Sequence, residues 1–244
     1  MSDKIRVVHY INQFYGGYGG EDTASMGIVV KEEPVGPGLY LQSALGDSYK
    51  IVATIICGDN FIAENIENVS NEVADIVEKY NAQMYIAGPG FNAGRYGLAC
   101  GATTAVVTER LKIPAVTGLY TENPGTDLYK DRAYILQTEN NAAKMKEALE
   151  RLAGFASRLA EGGFISDGKT EGYFGSGPAV DIDYGTPAST RGINMLLNKY
   201  FHQNFRTEVV MPNHEEIPVP VLEKPLSEAR IALVTDGGLV PKGN

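Results

Sequence analysis

A chain of 244 residues, 43% hydrophobic and 21% charged, has room for one large or two small globular domains with a substantial core. Its formal charge is −9 and no Lys/Arg cluster rises above that background, which argues against nucleic acid or an anionic membrane as a partner. The opening MSDKIRVVHYINQF lacks the apolar stretch of a signal peptide, no window approaches a membrane span, and the two cysteines form neither a disulfide framework nor a metal-ligand spacing, so the expected compartment is the cytoplasm.

In chain order, the run at 5–10 predicts a strand, followed by Asn12, Gln13 and a glycine-rich stretch at 16–20. A short helix is expected over 36–45 and a second strand at 51–56. Ile66, Val69, Val73, Ile76, Val77 and Tyr80 then fall on one helical face. A third strand at 84–87, broken by Gly88-Pro89-Gly90, opens a helix that runs from about Asn92 to Leu111. Strands at 115–119 and 133–136 follow, and then a helix whose apolar face carries Met145, Leu149, Leu152, Ala156 and Leu159. Five short apolar strands alternating with helices predict an α/β domain over 1–160: a five-stranded, doubly wound parallel sheet of flavodoxin type with helices on both faces.

Beyond it, the pattern dissolves over 162–190 into Gly, Ser, Asp, Pro and Tyr. One helix is expected at 191–201, then a stretch broken by Pro212, Pro218, Pro220 and Pro225. Residues 161–229 therefore read as a connector. The run RIALVTD at 230–236, followed by Gly237-Gly238, has the form of the first strand of a second α/β domain over 230–244, the rest of which is absent from this chain.

The segment MYIAGPGFNAGRYGLACG at 84–101 says most about chemistry. A strand ending in a glycine turn and opening a helix presents free backbone N–H groups and the positive end of the helix dipole, which suit a carboxylate or phosphate. Arg95 in the first turn adds a guanidinium. The glycines at 88, 90, 94, 97 and 101 do not match G-x-G-x-x-G, so a dinucleotide fingerprint is a poor fit.

In an open parallel sheet, ligands bind outside the carboxyl ends of the strands. The strand assignments put Asn12, Asp59, Asn60, Asn92, Arg95, Tyr96 and Glu122 on that rim, a set able to take a small zwitterion, with Arg95 for its carboxylate and Asp59 or Glu122 for its ammonium. Each has a plainer alternative. Asp59 and Asn60 suit a turn cap, and Glu122-Asn123-Pro124-Gly125 suits a surface β-turn. Cys57, at a strand end, reads as a small buried hydrophobe more readily than as a nucleophile. Cys100 and His9 read as packing residues, and His202 and His214 carry no partner pattern. No metal site and no Ser-His-Asp or Cys-His logic is present in the sequence.

The stretches IRVVHYINQF, VGPG at 35–38, ALGD at 44–47, VATIICGDN at 52–60, AGPGFNAGRYG at 87–97, IPAVTGLYTENPG at 113–125 and IALVTDGGLVPKGN at 231–244 resemble selenoprotein B of the glycine, sarcosine and betaine reductases. The resemblance implies a subunit roughly half as long again or more, with an active selenocysteine in a C-terminal domain. It also implies reductive C–N cleavage of glycine, sarcosine or betaine, leaving a carboxymethyl-selenoether on a small selenoprotein A partner. In the glycine enzyme it implies a separate subunit bearing a pyruvoyl group. This chain contains no selenocysteine. The expectation is a substrate-cleft part of a hetero-oligomer that is inactive alone and holds no cofactor of its own. The alternatives are a non-catalytic binding or assembly subunit, or a stand-alone isomerase-like α/β enzyme.

Overall fold

Six of the eight residues of the first strand, β1 (Ile5–Asn12), are buried, because the strand lies at the middle of a sheet covered on both faces. The computed structural model describes residues 4–175, 186–203, 224–230 and 232, and divides the chain into two units, Met1–Val180 and Asp181–Asn244.

In the first unit the elements follow as β2 (Val29–Lys31), α1 (Pro37–Leu45), β3 (Tyr49–Cys57), α2 (Asp59–Glu64), α3 (Ile66–Lys79), β4 (Met84–Phe91), α4 (Gly94–Leu111), β5 (Ala115–Leu119), α5 (Pro124–Tyr129), β6 (Tyr134–Gln137), α6 (Met145–Ala160) and α7 (Gly168–Glu171). The sheet order is β2-β3-β1-β4-β5-β6. Without β2, the five parallel strands run 2-1-3-4-5 in chain order, the flavodoxin-type winding.

Side chains leave each strand alternately to two apolar layers. Val8, Tyr10, Tyr85 and Ala87 face α3 and α4, where Val69, Val73, Val77, Ala99 and Val107 are buried. Val7, Ile51, Met84, Ile86 and Val116 face α1 and α6, where Leu41, Leu149, Leu152 and Phe155 meet them. Between Val7 and Val8 the register on β3 slips by one, from Ile51 to Ala53. This bulge explains why the neighbours Val52 and Ala53 both lie in the first layer.

Three expectations need correction. The sheet has six strands, not five: β2 pairs antiparallel with β3 at the edge, and three residues are too few to show a period. The third parallel strand does not end at Gly88-Pro89-Gly90 but continues to Phe91. Pro89 has no N–H to offer the ladder, and it falls where the pairing with β5 slips between Ala87 and Phe91. The following helix starts at Gly94 with Ala93 as its N-cap, not at Asn92.

Part of the stretch expected to be irregular joins the first unit. Tyr173 bridges Leu136, and its ring meets Tyr134 at 5.2 Å and Phe155 at 5.8 Å. In the second unit, α8 (Ala188–Tyr200) begins three residues before the expected helix, and Ile193, Leu196 and Tyr200 on it are exposed. Pro212, Pro218 and Pro220, and the strand expected at 230–236 apart from residues 230 and 232, lie outside the described residues.

Candidate functional site

The chain winds from β1 outward to β3, then crosses to the other side of β1 to lay down β4, so the winding reverses between β1 and β4. At such a switch point the loops leaving the two strands part and open a crevice at their carboxyl ends. The β1 loop begins with Asn12 and Gln13, and the β4 loop leads directly into α4 and Arg95.

Asn12 and Gln13 are 6% and 3% exposed, unusual burial for amides, and both are spent on Asp59, the first residue of α2. Asn12 Nδ2 donates to Asp59 Oδ2 at 3.0 Å and Gln13 Nε2 to the same oxygen at 3.4 Å, while Gln13 Oε1 accepts from the Asp59 N–H at 3.0 Å. Asp59 Oδ1 is buried and has no hydrogen-bond partner among the described residues. Burial raises the Asp59 carboxyl above its ordinary range, against the opposing pull of the two amides and of the Arg95 charge.

Arg95 projects outward from the first turn of α4. One arm of its guanidinium donates to Asn60 Oδ1 and the other to Glu21 Oε2 at 2.7 Å. Tyr96, about 100° further round the helix, turns inward and is 1% exposed. Its ring lies 5.8 Å from Tyr15 and 6.4 Å from Tyr10, forming a floor beneath the rim. The structure thus gathers Asn12, Asp59, Asn60 and Arg95 into one cluster with Tyr96 below.

Two of the rim residues stand elsewhere. Asn92 Nδ2 donates to Asn140 Oδ1 at 2.9 Å, toward the β6 side. Glu122 is exposed and joins none of the cluster's hydrogen bonds. Its neighbour Asn123, by contrast, is 1% exposed and caps α5 through Gly125 N at 2.9 Å. The Asn123 amide also donates to Phe91 O at 3.0 Å and Ala93 O at 3.1 Å, tying the β4 loop to the β5 loop. Gln13 and Glu21 complete the cluster, and the sequence marks neither as a binding residue. Gln13 showed only as part of the first loop, and Glu21 reaches Arg95 across 74 residues of sequence, which no local pattern records.

Neither thiol is poised for chemistry. Cys57 and Cys100 are fully buried; burial pushes the Cys57 thiol up to about 12 and Cys100 higher still, so both are neutral near pH 7. His9 is buried inside β1 with Nε2 2.9 Å from Gly88 O, so Nε2 carries the proton, and Nδ1, facing α1, has no partner among the described residues. Burial lowers its pKa to about 4. A cleft of about 190 Å³ lies at the β5–β6 edge, lined by Tyr120, Thr138, Glu139, Lys144 and Arg151. Its cations are engaged: Lys144 by Glu139 and Glu147 at 3.7 and 3.5 Å, and Arg151 by the carbonyls of Gln137 and Gly172 at 2.7 and 3.3 Å. Among the described residues, no group of His, Cys, Asp or Glu is placed to hold a metal ion, and no helix is long and apolar enough to cross a membrane.

Fold and rim together define a doubly wound α/β module with a polar side-chain cluster at its switch point. The chain matches the family model described as glycine/sarcosine/betaine reductase selenoprotein B over residues 4–244, and it belongs to that family. It is 44% identical over 240 residues to the glycine reductase complex component B subunit gamma of Symbiobacterium thermophilum, covering 98% of this chain and 55% of that protein. Two proteins of Peptoclostridium acidaminophilum are also similar. The sarcosine reductase complex component B subunit beta is 40% identical over 241 residues, 99% of this chain and 55% of the relative. The betaine reductase complex component B subunit beta is 35% identical over 241 residues, 98% and 55%. The chain therefore spans about half the length of these curated relatives. No solved structure matches it.

Proposed function

We propose that this chain forms the amino-acid-binding rim of a component B that takes part in reductive C–N cleavage of glycine, sarcosine or betaine. The observation that carries the reading is the pairing, at the switch-point crevice, of an outward guanidinium at Arg95 with an amide-clamped carboxylate at Asp59. Each of the three substrates has a carboxylate one carbon away from a cationic nitrogen. Arg95 and the N–H groups opening α4 take the carboxylate, and Asp59 takes the nitrogen end. Asn12 and Asn60 hold those two groups in place, Tyr96 floors the crevice, and Asn92 and Glu122 extend the rim toward the β5 and β6 loops.

In this reading the attack on carbon is supplied by a selenocysteine that lies outside this chain. The residues present fit that division of labour, since both thiols here are buried and neutral. The partners are the pyruvoyl-bearing subunit of the glycine enzyme and the small selenoprotein A, in a hetero-oligomer. The chain by itself is expected to show no turnover of glycine, sarcosine or betaine with a dithiol. In a complex reconstituted from full-length component B carrying this sequence, Arg95→Ala should lower kcat/KM by about 10- to 100-fold, the worth of one charge-assisted contact. Unchanged kcat/KM in that variant would refute the assignment of Arg95.

A further inference from the structure

Glu21 stands where the carboxylate of a ligand would have to go. Its Oε2 takes one arm of the Arg95 guanidinium at 2.7 Å, with side chains 70% and 43% exposed. An exposed pair of this kind holds weakly and is open to competition.

The segment bearing Glu21 is a strap pinned at both ends. At the front, Tyr15 N binds Asn12 Oδ1 at 3.1 Å, Gly16 N binds Asn12 O at 2.9 Å and Tyr18 N binds Gln13 O at 3.0 Å. At the back, fully buried Ala24 accepts from Asn60 N and Phe61 N at 2.8 and 3.2 Å, and Met26 O accepts from Gly58 N at 3.0 Å. Gly58 makes that approach possible, since a Cβ there would meet the oxygens of Ala24 and Met26 at 2.3 and 2.6 Å. Between the pins the strap is punctuated by Gly16, Gly17, Gly19 and Gly20, and Gln13 Nε2 holds Gly20 O at 3.3 Å. From the middle of the strap, the Arg95–Glu21 ion pair reaches across to the first turn of α4.

We propose that Glu21 is an internal competitor that makes the crevice select zwitterions over simple carboxylates. The argument rests on Arg95 being the carboxylate-binding group, as proposed above. Without ligand, Glu21 occupies Arg95; an incoming carboxylate displaces it and frees the strap. With Arg95, Glu21 and an ionised Asp59, the crevice carries one net negative charge. Acetate would raise that to two, whereas glycine leaves it at one, because the ammonium that Asp59 takes offsets the incoming carboxylate. Removing the Glu21 charge should therefore help acetate more than glycine.

The test uses the full chain labelled with 15N, titrated separately with acetate and with glycine, following the amide signals of Gly16, Gly17, Gly19 and Gly20. In Glu21→Gln, acetate should bind about two- to five-fold tighter, the scale of an exposed ion pair, and the glycine-to-acetate preference should narrow by a similar factor. The strap glycines of ligand-free Glu21→Gln should move toward their positions in the ligand-saturated parent. Acetate binding unchanged in Glu21→Gln but abolished in Arg95→Ala would overturn the competitor while leaving the Arg95 site standing. Indifference of both probes to Arg95→Ala would overturn the site and the competitor with it. Where neither probe binds the parent chain, the ligand-free spectra decide: strap glycine signals that Glu21→Gln leaves in place overturn the proposal, and signals that shift or broaden support it.

Discussion

Adjacent side chains in this protein have opposite roles because a helix turns them about 100° apart. Arg95 faces solvent and Tyr96 faces the core, yet the sequence marks both equally as first-turn residues of α4. The strand assignments could place Asn12, Asp59, Asn60 and Arg95 at one edge, since that follows from where each strand ends. They could not show that Asn12 and Gln13 spend their amides on Asp59, or that Glu21 lies on Arg95, because such contacts span 46 to 74 residues. The same limit applies to Cys57, whose burial is set by the helices above it. A prediction follows for the thiols. Iodoacetamide at pH 8 should leave Cys57 and Cys100 unlabelled in the folded chain and label both in urea, read by intact mass. Rapid labelling of Cys57 in the native protein would mean that the thiol is accessible and ionised.

At the scale of elements, the position of α4 is fixed by small residues. A Cβ on Gly97 would meet the Asn123 amide at 2.1 Å, so only glycine lets the β5–α5 turn close onto the helix. Gly94, one turn earlier, has nothing within 4 Å of its missing Cβ. Gly97→Ala should cost about 1–3 kcal/mol through overpacking, measured by urea unfolding. Gly94→Ala should be neutral or stabilise by up to about 1 kcal/mol, since alanine suits a helix better. Equal effects from the two substitutions would contradict the packing. The sequence displayed both glycines alike, and it also suggested a break at Gly88-Pro89-Gly90 that the fold does not make. Breaker residues end a strand only where the ladder needs them, and here the slipped register with β5 removes that need.

For the whole molecule, pH acts through the middle of the sheet. The buried imidazole of His9 has a pKa of about 4 when folded, against an ordinary value of 6.5. Between those values the unfolded chain binds a proton that the folded chain refuses, so stability should fall as pH drops through that window. The contribution is complete above pH 6.5, and its loss is on the order of 2 kcal/mol by pH 5. Asp59 works in the opposite sense: its raised carboxyl favours the fold most at low pH, and that benefit is lost as pH rises. Urea titrations at pH 7 and pH 5 should show the acid loss in the parent chain and a shallower one in His9→Gln. An identical slope in the variant would place the acid sensitivity elsewhere.

The sequence by itself determined the parallel sheet, its five principal strands and the helices that cover it, because strand and helix periods are local properties set by the need to bury one face or two. It also determined which loops share an edge, since in a parallel sheet every strand ends on the same side. The tertiary structure alone decided the added edge strand β2 and the meeting of Arg95 with Glu21 and of Asp59 with its two amides. Those depend on which strand lies beside which. That choice is made by packing between residues far apart in the chain and leaves no periodic trace in the order of the amino acids.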